Sequence, residues 1–287
     1  MTLNDLKDYK LVWSDEFDGA TLDNSKWNLS EADMEKKDAD GNTAVVFKDE
    51  EKLIKVEDGK LVLDSYYDEE NKVYVAHKSI QTKETMSFKY GYLEVRAKVP
   101  FSSGRTISFT AHNKGAIGCD KVIPYKTRMF LFGHGGVFPC FTNSIVKIYE
   151  NYDENHPFYE EYKNADDSSK YSQTLCLNPP ECIHLQYVTE VMEEFKTFGF
   201  LWTEKEVVFT VDGRVVTRMT LTQDFLRPSG IDEFKKPHFL NIATNFRITE
   251  GNEGSRITPE RVAEQIPFEI DYVRLYQKDG EGELNLK

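Results

Sequence analysis

The stretch Tyr125-Lys126-Thr127-Arg128-Met129-Phe130-Leu131-Phe132-Gly133-His134-Gly135-Gly136 runs an apolar segment into a Gly-His-Gly-Gly tract. By itself it reads as a short buried strand entering a turn. Its residue types offer little chemistry. Arg128 is a permanent cation, Phe130 cannot ionise, and Gly133 has no side chain. His134, between glycines, suits a loop better than a base. His112 and His156 lie in the same part of the chain, but none of the six histidines pairs with a Ser or Cys in a recognisable triad. Cys119, Cys140, Cys176 and Cys182 contain no Cys-x-x-Cys pair, and no His stands at zinc-finger spacing, which argues against structural zinc. Cys176 and Cys182 are close enough in sequence to bridge, yet four inert thiols is the simpler expectation.

The elements that would position a site are strands. Phe88 to Pro100 alternates cleanly: Leu93, Val95, Ala97 and Val99 share one face, Tyr92, Glu94, Arg96 and Lys98 the other. Asp58-Gly59 and Asp212-Gly213 each sit between alternating segments, as hairpin turns do. Further strands are expected at Lys10 to Phe17, Val73 to Thr82, Ser103 to Ala111, Ile145 to Tyr149, Phe195 to Thr203, Pro237 to Phe246 and Phe268 to Gln277. Residues 31 to 52 are highly charged and read as a long surface loop. Only Ser229 to Phe234 and Thr258 to Gln265 suggest helices. Many short strands separated by turns argue for a β-sandwich.

The 287 residues suit one large β domain, and nineteen Phe and fifteen Tyr can fill a large core. A formal charge of −13 argues against nucleic acid as a partner, because phosphate binding needs a basic face. A neutral glycan would not be repelled. No apolar run approaches the roughly 18 residues of a membrane span, and the N-terminal segment has no apolar signal core. The expectation is a cytoplasmic protein without membrane contact, unless the chain is a trimmed piece of a longer one.

Several of these segments carry more specific patterns. Trp13-Ser-Asp-Glu-Phe-Asp-Gly19 followed by Leu22-Asp-x-x-Lys-Trp27, the Tyr90-Gly-Tyr-Leu-Glu-Val-Arg-Ala-Lys98 strand, Asn241 in its strand, and Phe268-Glu-Ile-Asp-Tyr-Val-Arg-Leu-Tyr276 together resemble family 16 glycoside hydrolases, the laminarinase and lichenase group. The resemblance covers most of residues 9 to 278 and is weakest over 112 to 190. It implies an all-β fold, a concanavalin A-like jelly-roll β-sandwich of two antiparallel sheets, with residues 1–287 as one domain.

In that family one strand carries the catalytic carboxylates as Glu-x-Asp-x-x-Glu, and a bulge lets the last Glu join the face of the first two. The first Glu is the nucleophile, the Asp tunes it, and the last Glu is the acid/base. The matching positions here are Arg128, Phe130 and Gly133, so the scaffold is present and the chemistry is missing. A second register, over Ile145-Val-Lys-Ile-Tyr-Glu150, keeps only Glu150. Either register loses the nucleophile. The family's cleft Arg and two cleft Trp residues are also replaced; Ser79 stands at the first of these positions, and Phe109 is kept.

The resemblance further implies glycan contacts at Glu94, Arg96, Phe109 and Asn241 in a concave cleft, and a structural calcium ion held partly by Glu16 and Asp271, whose oxygens suit that ion. Apart from that calcium, no cofactor is expected. Tyr92, Tyr125 and Phe132 could offer ring faces to a sugar; Trp13, Trp27 and Trp202 read as core. The function implied is a family 16 homologue that has lost retaining hydrolysis and keeps the capacity to bind a β-glucan-like poly- or oligosaccharide. Two alternatives stand beside it. One is an active β-glucanase or transglycosylase with relocated carboxylates, such as Glu94 or Asp153. The other is a structural or interaction sandwich without a sugar ligand.

Overall fold

The computed structural model describes residues 6–30, 35–100, 104–113, 115–119, 125–134, 141–149, 172–177, 194–221, 232–248 and 257–287. Its strands, in chain order, begin with β1 (Tyr9–Asp15), β2 (Asn28–Leu29), β3 (Glu35–Lys37), β4 (Thr43–Lys48), β5 (Ile54–Glu57), β6 (Lys60–Leu63) and β7 (Ser65–Asp68). There follow β8 (Val73–His77), β9 (Ile80–Gln81), β10 (Met86–Lys89), β11 (Gly91–Lys98), β12 (Arg105–His112), β13 (Tyr125–His134) and β14 (Phe141–Tyr149). The last are β15 (Ser172–Leu177), β16 (Lys196–Trp202), β17 (Glu206–Val211), β18 (Arg214–Thr220), β19 (Phe239–Phe246), β20 (Phe268–Lys278) and β21 (Glu283–Leu286).

Two large sheets make the sandwich. One has eight strands in the order β18-β17-β16-β11-β20-β6-β5, with β1 also paired to β20. The other has seven, in the order β15-β14-β13-β12-β19-β9-β2. All pairings in both are antiparallel. The alternation seen in the sequence decides what faces inward. Leu93, Val95 and Ala97 from β11 meet Ile107, Phe109 and Ala111 from β12 in one apolar cluster, which also holds Trp13, Trp27 and Trp202. The three Trp residues are therefore core. Burying such side chains contributes about 1.5–3 kcal/mol each.

Both Asp-Gly turns are hairpins. Asp58 and Gly59 have φ of 52° and 68°, and Asp212 and Gly213 have 47° and 76°. Two successive residues with positive φ are what a two-residue turn between right-twisted strands requires. The two helical segments are short: a 3-10 turn at Asp232–Lys235, and α1 (Pro259–Ala263), whose N-terminus Thr258 caps by accepting from the Arg261 amide.

One segment differs from the sequence reading. Residues 31–52 are not a plain loop. Within them β3 and β4 pair, and β4 pairs parallel with β8 in a four-stranded sheet β3-β4-β8-β7. Val45 and Phe47 alternate along β4 and bury into a second small core with Ala76, Phe246, Ile257 and Val262. Burial of that alternating pair outweighs the charge of the flanking residues.

Candidate functional site

The seven-stranded sheet presents an outer face, away from the core, that its pairing defines row by row. On β12, Ile107, Phe109 and Ala111 point inward, so Thr106, Ser108, Thr110 and His112 form the opposite stripe. Across β19 these pair with Asn245, Ala243, Asn241 and Phe239. Asn241 pairs in turn with Gln81, and Gln81 with Asn28. The face thus carries hydroxyls and amides beside Ala243, Phe239 and His112, with Thr110, Phe239 and Gln81 themselves buried; hydroxyls and amides are the group types that fix sugar hydroxyls in a binding site.

Thr110 is the centre of a small network. Its hydroxyl lies 2.6 Å from His112 Nε2, 3.3 Å from the Asn241 carbonyl, and 3.5 Å from the Asn241 side-chain amide. A Thr hydroxyl has one donor and two acceptor sites. Donating to the carbonyl leaves it to accept from His112 and from the Asn241 amide. The His112 ring also packs on Phe239, with centroids 5.4 Å apart.

Strand β13 adjoins β12 directly. Arg128 pairs with His112, Phe130 with Thr110 and Gly133 with Ser108. The pairing shifts between Phe130 and Gly133, on the β14 side as well as the β12 side. One extra residue is inserted there, a β-bulge. The bulge brings position 133 into line with 128 and 130, on the Thr110 stripe. Met129 and Leu131 lie in the core. The second candidate strand, β14, is one place further out, and Glu150 and Asp153 lie outside the described residues.

None of the seven strands contains an Asp or a Glu on either face. Their ionic residues are Arg105, Lys126, Arg128 and Lys147. In a chain with 49 acidic residues this is a selective depletion.

The structure corrects three of the expected glycan contacts. Glu94 and Arg96 are on β11, which belongs to the eight-stranded sheet, so they do not share a face with β13. They sit on the far side of the sandwich in a network of their own. Glu94 accepts from Tyr272 at 2.9 Å and from Tyr92 at 3.4 Å, and Arg96 pairs with Asp271. Burial and the adjacent Glu94 push the Tyr272 hydroxyl up to about 12. Tyr92 lies on that same outer surface, packed with Leu201 and Val208. Phe109 is fully buried in the core and cannot meet a ligand. Of the four, only Asn241 lies on the Thr110 face of the seven-stranded sheet. The side chains of Tyr125, Lys126, Arg128, Phe130 and Phe132 are outside the described part, as are Cys140, Cys182 and His156.

The expected calcium ligands Glu16 and Asp271 are each engaged by an arginine. Both Glu16 oxygens are taken by Arg274, at 3.0 and 2.7 Å, which holds the carboxyl below its usual range. Asp271 is taken by Arg96. No cluster of three or more His, Cys, Asp or Glu suited to a metal occurs among the described residues. Among those residues no helix is long and apolar enough to cross a membrane.

The sequence reading did not single out Thr106, Ser108, Gln81 or Asn245. The signal was present as the period-two polar stripe of β12, but which sheet each strand would join was not.

No protein-family model matches the chain. It is 23% identical over 290 aligned positions to glucan endo-1,3-beta-glucosidase A1 of Niallia circulans; the match covers 93% of this chain and 38% of that enzyme. Among solved structures, the laminarinase of Rhodothermus marinus superposes with a TM-score of 0.65 at 18% identity, covering 94% of this chain and 97% of that one. A non-specific endo-β-1,3(4)-glucanase of family GH16, a mutant co-crystallised with 1,3-β-D-cellotriosyl-glucose, superposes with a TM-score of 0.63 at 18% identity, covering 95% of this chain and 96% of the other. The chain has the jelly-roll fold of the family 16 laminarinases and resembles them over more than nine-tenths of its length.

Proposed function

We propose that this chain is a family 16-type jelly roll that binds a β-glucan-like glycan in the groove of its seven-stranded sheet and has lost retaining hydrolysis. The observation that carries the reading is the absence of any Asp or Glu from the seven strands. Retaining hydrolysis needs two carboxyl groups about 5–5.5 Å apart, one as nucleophile and one as acid/base. The bulge in β13 supports Arg128, Phe130 and Gly133 as the motif positions, since it aligns all three on the groove stripe. Arg cannot attack an anomeric carbon, Phe cannot tune a carboxylate, and Gly cannot protonate a leaving oxygen. What stays is a floor of hydroxyl and amide groups. Binding oligosaccharide is what the solved endo-β-1,3(4)-glucanase complex does with the same fold, and this supports a glycan as the ligand.

The test is paired. Affinity electrophoresis through laminarin and lichenan should show retardation, and reducing-sugar release from both, at high protein concentration, should stay at background. Turnover by the unmodified protein would overturn the reading and send the search to Glu150 and Asp153. Absence of retardation by either glycan would overturn the binding half.

A further inference from the structure

A cleft of about 570 Å³ opens at one end of the eight-stranded sheet, within the ~300–1,000 Å³ range of ligand sites. It lies between the β10–β11 junction, the β16–β17 turn and the β20–β21 turn, with Tyr9 of β1 beside them. No described residue of the seven-stranded sheet lines it. Three devices hold its walls. Tyr90 sits in the left-handed region at φ 58°, an uncommon conformation for a bulky residue, and its ring stands edge-on to buried Trp202 with centroids 5.1 Å apart. A Cβ on the next residue, Gly91, would stand 2.6 Å from the Tyr276 carbonyl, so β11 can begin there only with glycine. The buried Gln277 amide nitrogen lies 3.2, 2.9 and 2.9 Å from the carbonyls of Lys89, Tyr90 and Glu283, which ties the start of β11 to β21. Gly282 leaves room for that amide, since a Cβ there would stand 2.6 Å from Gln277 Cδ.

Lys89, Lys205 and Lys278 line the cleft against Glu204, Glu281 and Glu283, so its formal charge among the described residues is zero in a chain of −13. Lys89 pairs with Glu283, and Lys278 with Glu281. A charged ligand finds no net field here and must break an ion pair to gain a partner. A sugar hydroxyl needs neither, because it donates once and accepts twice, and a paired ammonium and carboxylate keep free sites of both kinds. Tyr9 and Tyr90 add hydroxyls and ring surface, on which a pyranose face can pack. Burial, with Glu204 and Glu283 adding to it, pushes the Tyr90 hydroxyl up to about 12, so it remains a donor at neutral pH. We propose that this cleft is a second saccharide site, which takes a neutral, hydroxyl-rich oligosaccharide at Tyr9 and Tyr90. That the sugar is a β-glucan rests on the reading of the Thr110 face as a glycan site; the cleft and its charge balance do not. Two sites on one chain raise the apparent affinity for a polysaccharide above that for a short oligosaccharide without any new contact.

The experiment titrates isotope-labelled protein with a β-1,3-linked glucose hexasaccharide and follows the N–H signals. The amides of Gly91, Thr203, Gly280 and Gly282 report on the cleft, together with the Trp202 indole N–H, which has no internal acceptor. Thr110 and Asn241 report on the seven-stranded sheet. The cleft signals should move and saturate, with a dissociation constant that changes less than about twofold between about 20 mM and 500 mM salt, since a neutral ligand gains nothing that salt screens. Tyr9→Ala should weaken this binding about fivefold, through loss of one ring contact. Glu204→Gln on the exposed rim gives a second variant should Tyr9→Ala unfold, and thermal melts report folding for both. Cleft signals that stay still up to about 10 mM hexasaccharide would overturn the proposal. So would tighter binding there of the hexasaccharide of glucosamine or of glucuronate, or an affinity unchanged in every folded variant. Movement at Thr110 and Asn241 alone would overturn the second site and leave the first. Movement in the cleft alone would support the second site and overturn the first.

Discussion

Gly133 lies directly across from Ser108 and Phe132 across from Phe109, although the next pair is Phe130 with Thr110. Three steps along β13 thus match two along β12, and the extra residue turns position 133 back onto the face of 128 and 130. A regular strand would have sent it into the core.

That alignment predicts where carboxylates must be placed to restore chemistry. The triple change Arg128→Glu, Phe130→Asp, Gly133→Glu should release reducing sugar from laminarin or lichenan, where the unmodified protein does not. Acid–base assistance alone is worth about 10²–10⁴-fold, so even a poorly tuned pair rises above background. A folded triple variant that remains inert while binding laminarin would remove these positions as the motif.

The opening segment holds a second testable relationship. The Asp15 carboxylate, almost fully buried, accepts from Trp27 Nε1 at 2.7 Å and from the Phe17 amide at 3.1 Å, with Lys26 Nζ at 3.3 Å. Phe17 has a φ of 50°, so its turn depends on that bond. Asp15→Ala would leave the Trp27 N–H buried without a partner, a loss of about 1–3 kcal/mol. At about 2–4 °C per kcal/mol the melting temperature should drop clearly. A melt within 1 °C of the parent would show that the anchor contributes nothing.

This anchor explains which parts of the fold were legible. Trp-Ser-Asp-Glu-Phe followed by Lys-Trp is visible in sequence because one buried carboxylate must find one indole. The Asp-Gly hairpins were legible because positive φ restricts residue choice. Alternation showed that Leu93 and Val95 are core. It could not show which sheet β11 joins, because an alternating strand looks the same in either. Hence Glu94 and Arg96 were expected in one cleft with the β13 positions and lie on the outer face of the other sheet. Phe109 was misread as a ligand contact although Ile107 and Ala111 share its parity and belong to the core.

The calcium expectation meets a direct competitor. A cation at Glu16 must first displace Arg274, and one at Asp271 must displace Arg96. A ligand that binds only the folded state raises stability by mass action. Thermal melts in 5 mM calcium and in EGTA should therefore coincide. A difference above 2 °C would show that an ion is held.

Acid should destabilise the protein through two buried histidines. His77 donates from Nδ1 to the Lys78 carbonyl at 2.7 Å, so its Nε2 is the acceptor for the Thr244 hydroxyl at 2.9 Å. Burial, with help from the Arg105 cation, pushes His77 from 6.5 down to about 4. Burial pushes His238 down to about 3. In the unfolded chain both take up protons near 6.5, while the folded chain stays neutral until about 4 and about 3. Between those limits the unfolded state binds more protons, so stability rises with pH. It is complete above about 6.5 and is lost as pH falls through the interval, by up to about 1.4 kcal/mol per pH unit for each histidine. Urea midpoints between pH 7.5 and 4.5 should trace this slope. Paired carboxylates such as Glu16 titrate at the acid end of the same series, but they are common to parent and variant. His77→Gln keeps a donor and an acceptor in place and cannot charge, so its curve should be shallower by one histidine's share. Parallel curves for the two proteins would mean that His77 is protonated in the folded state after all.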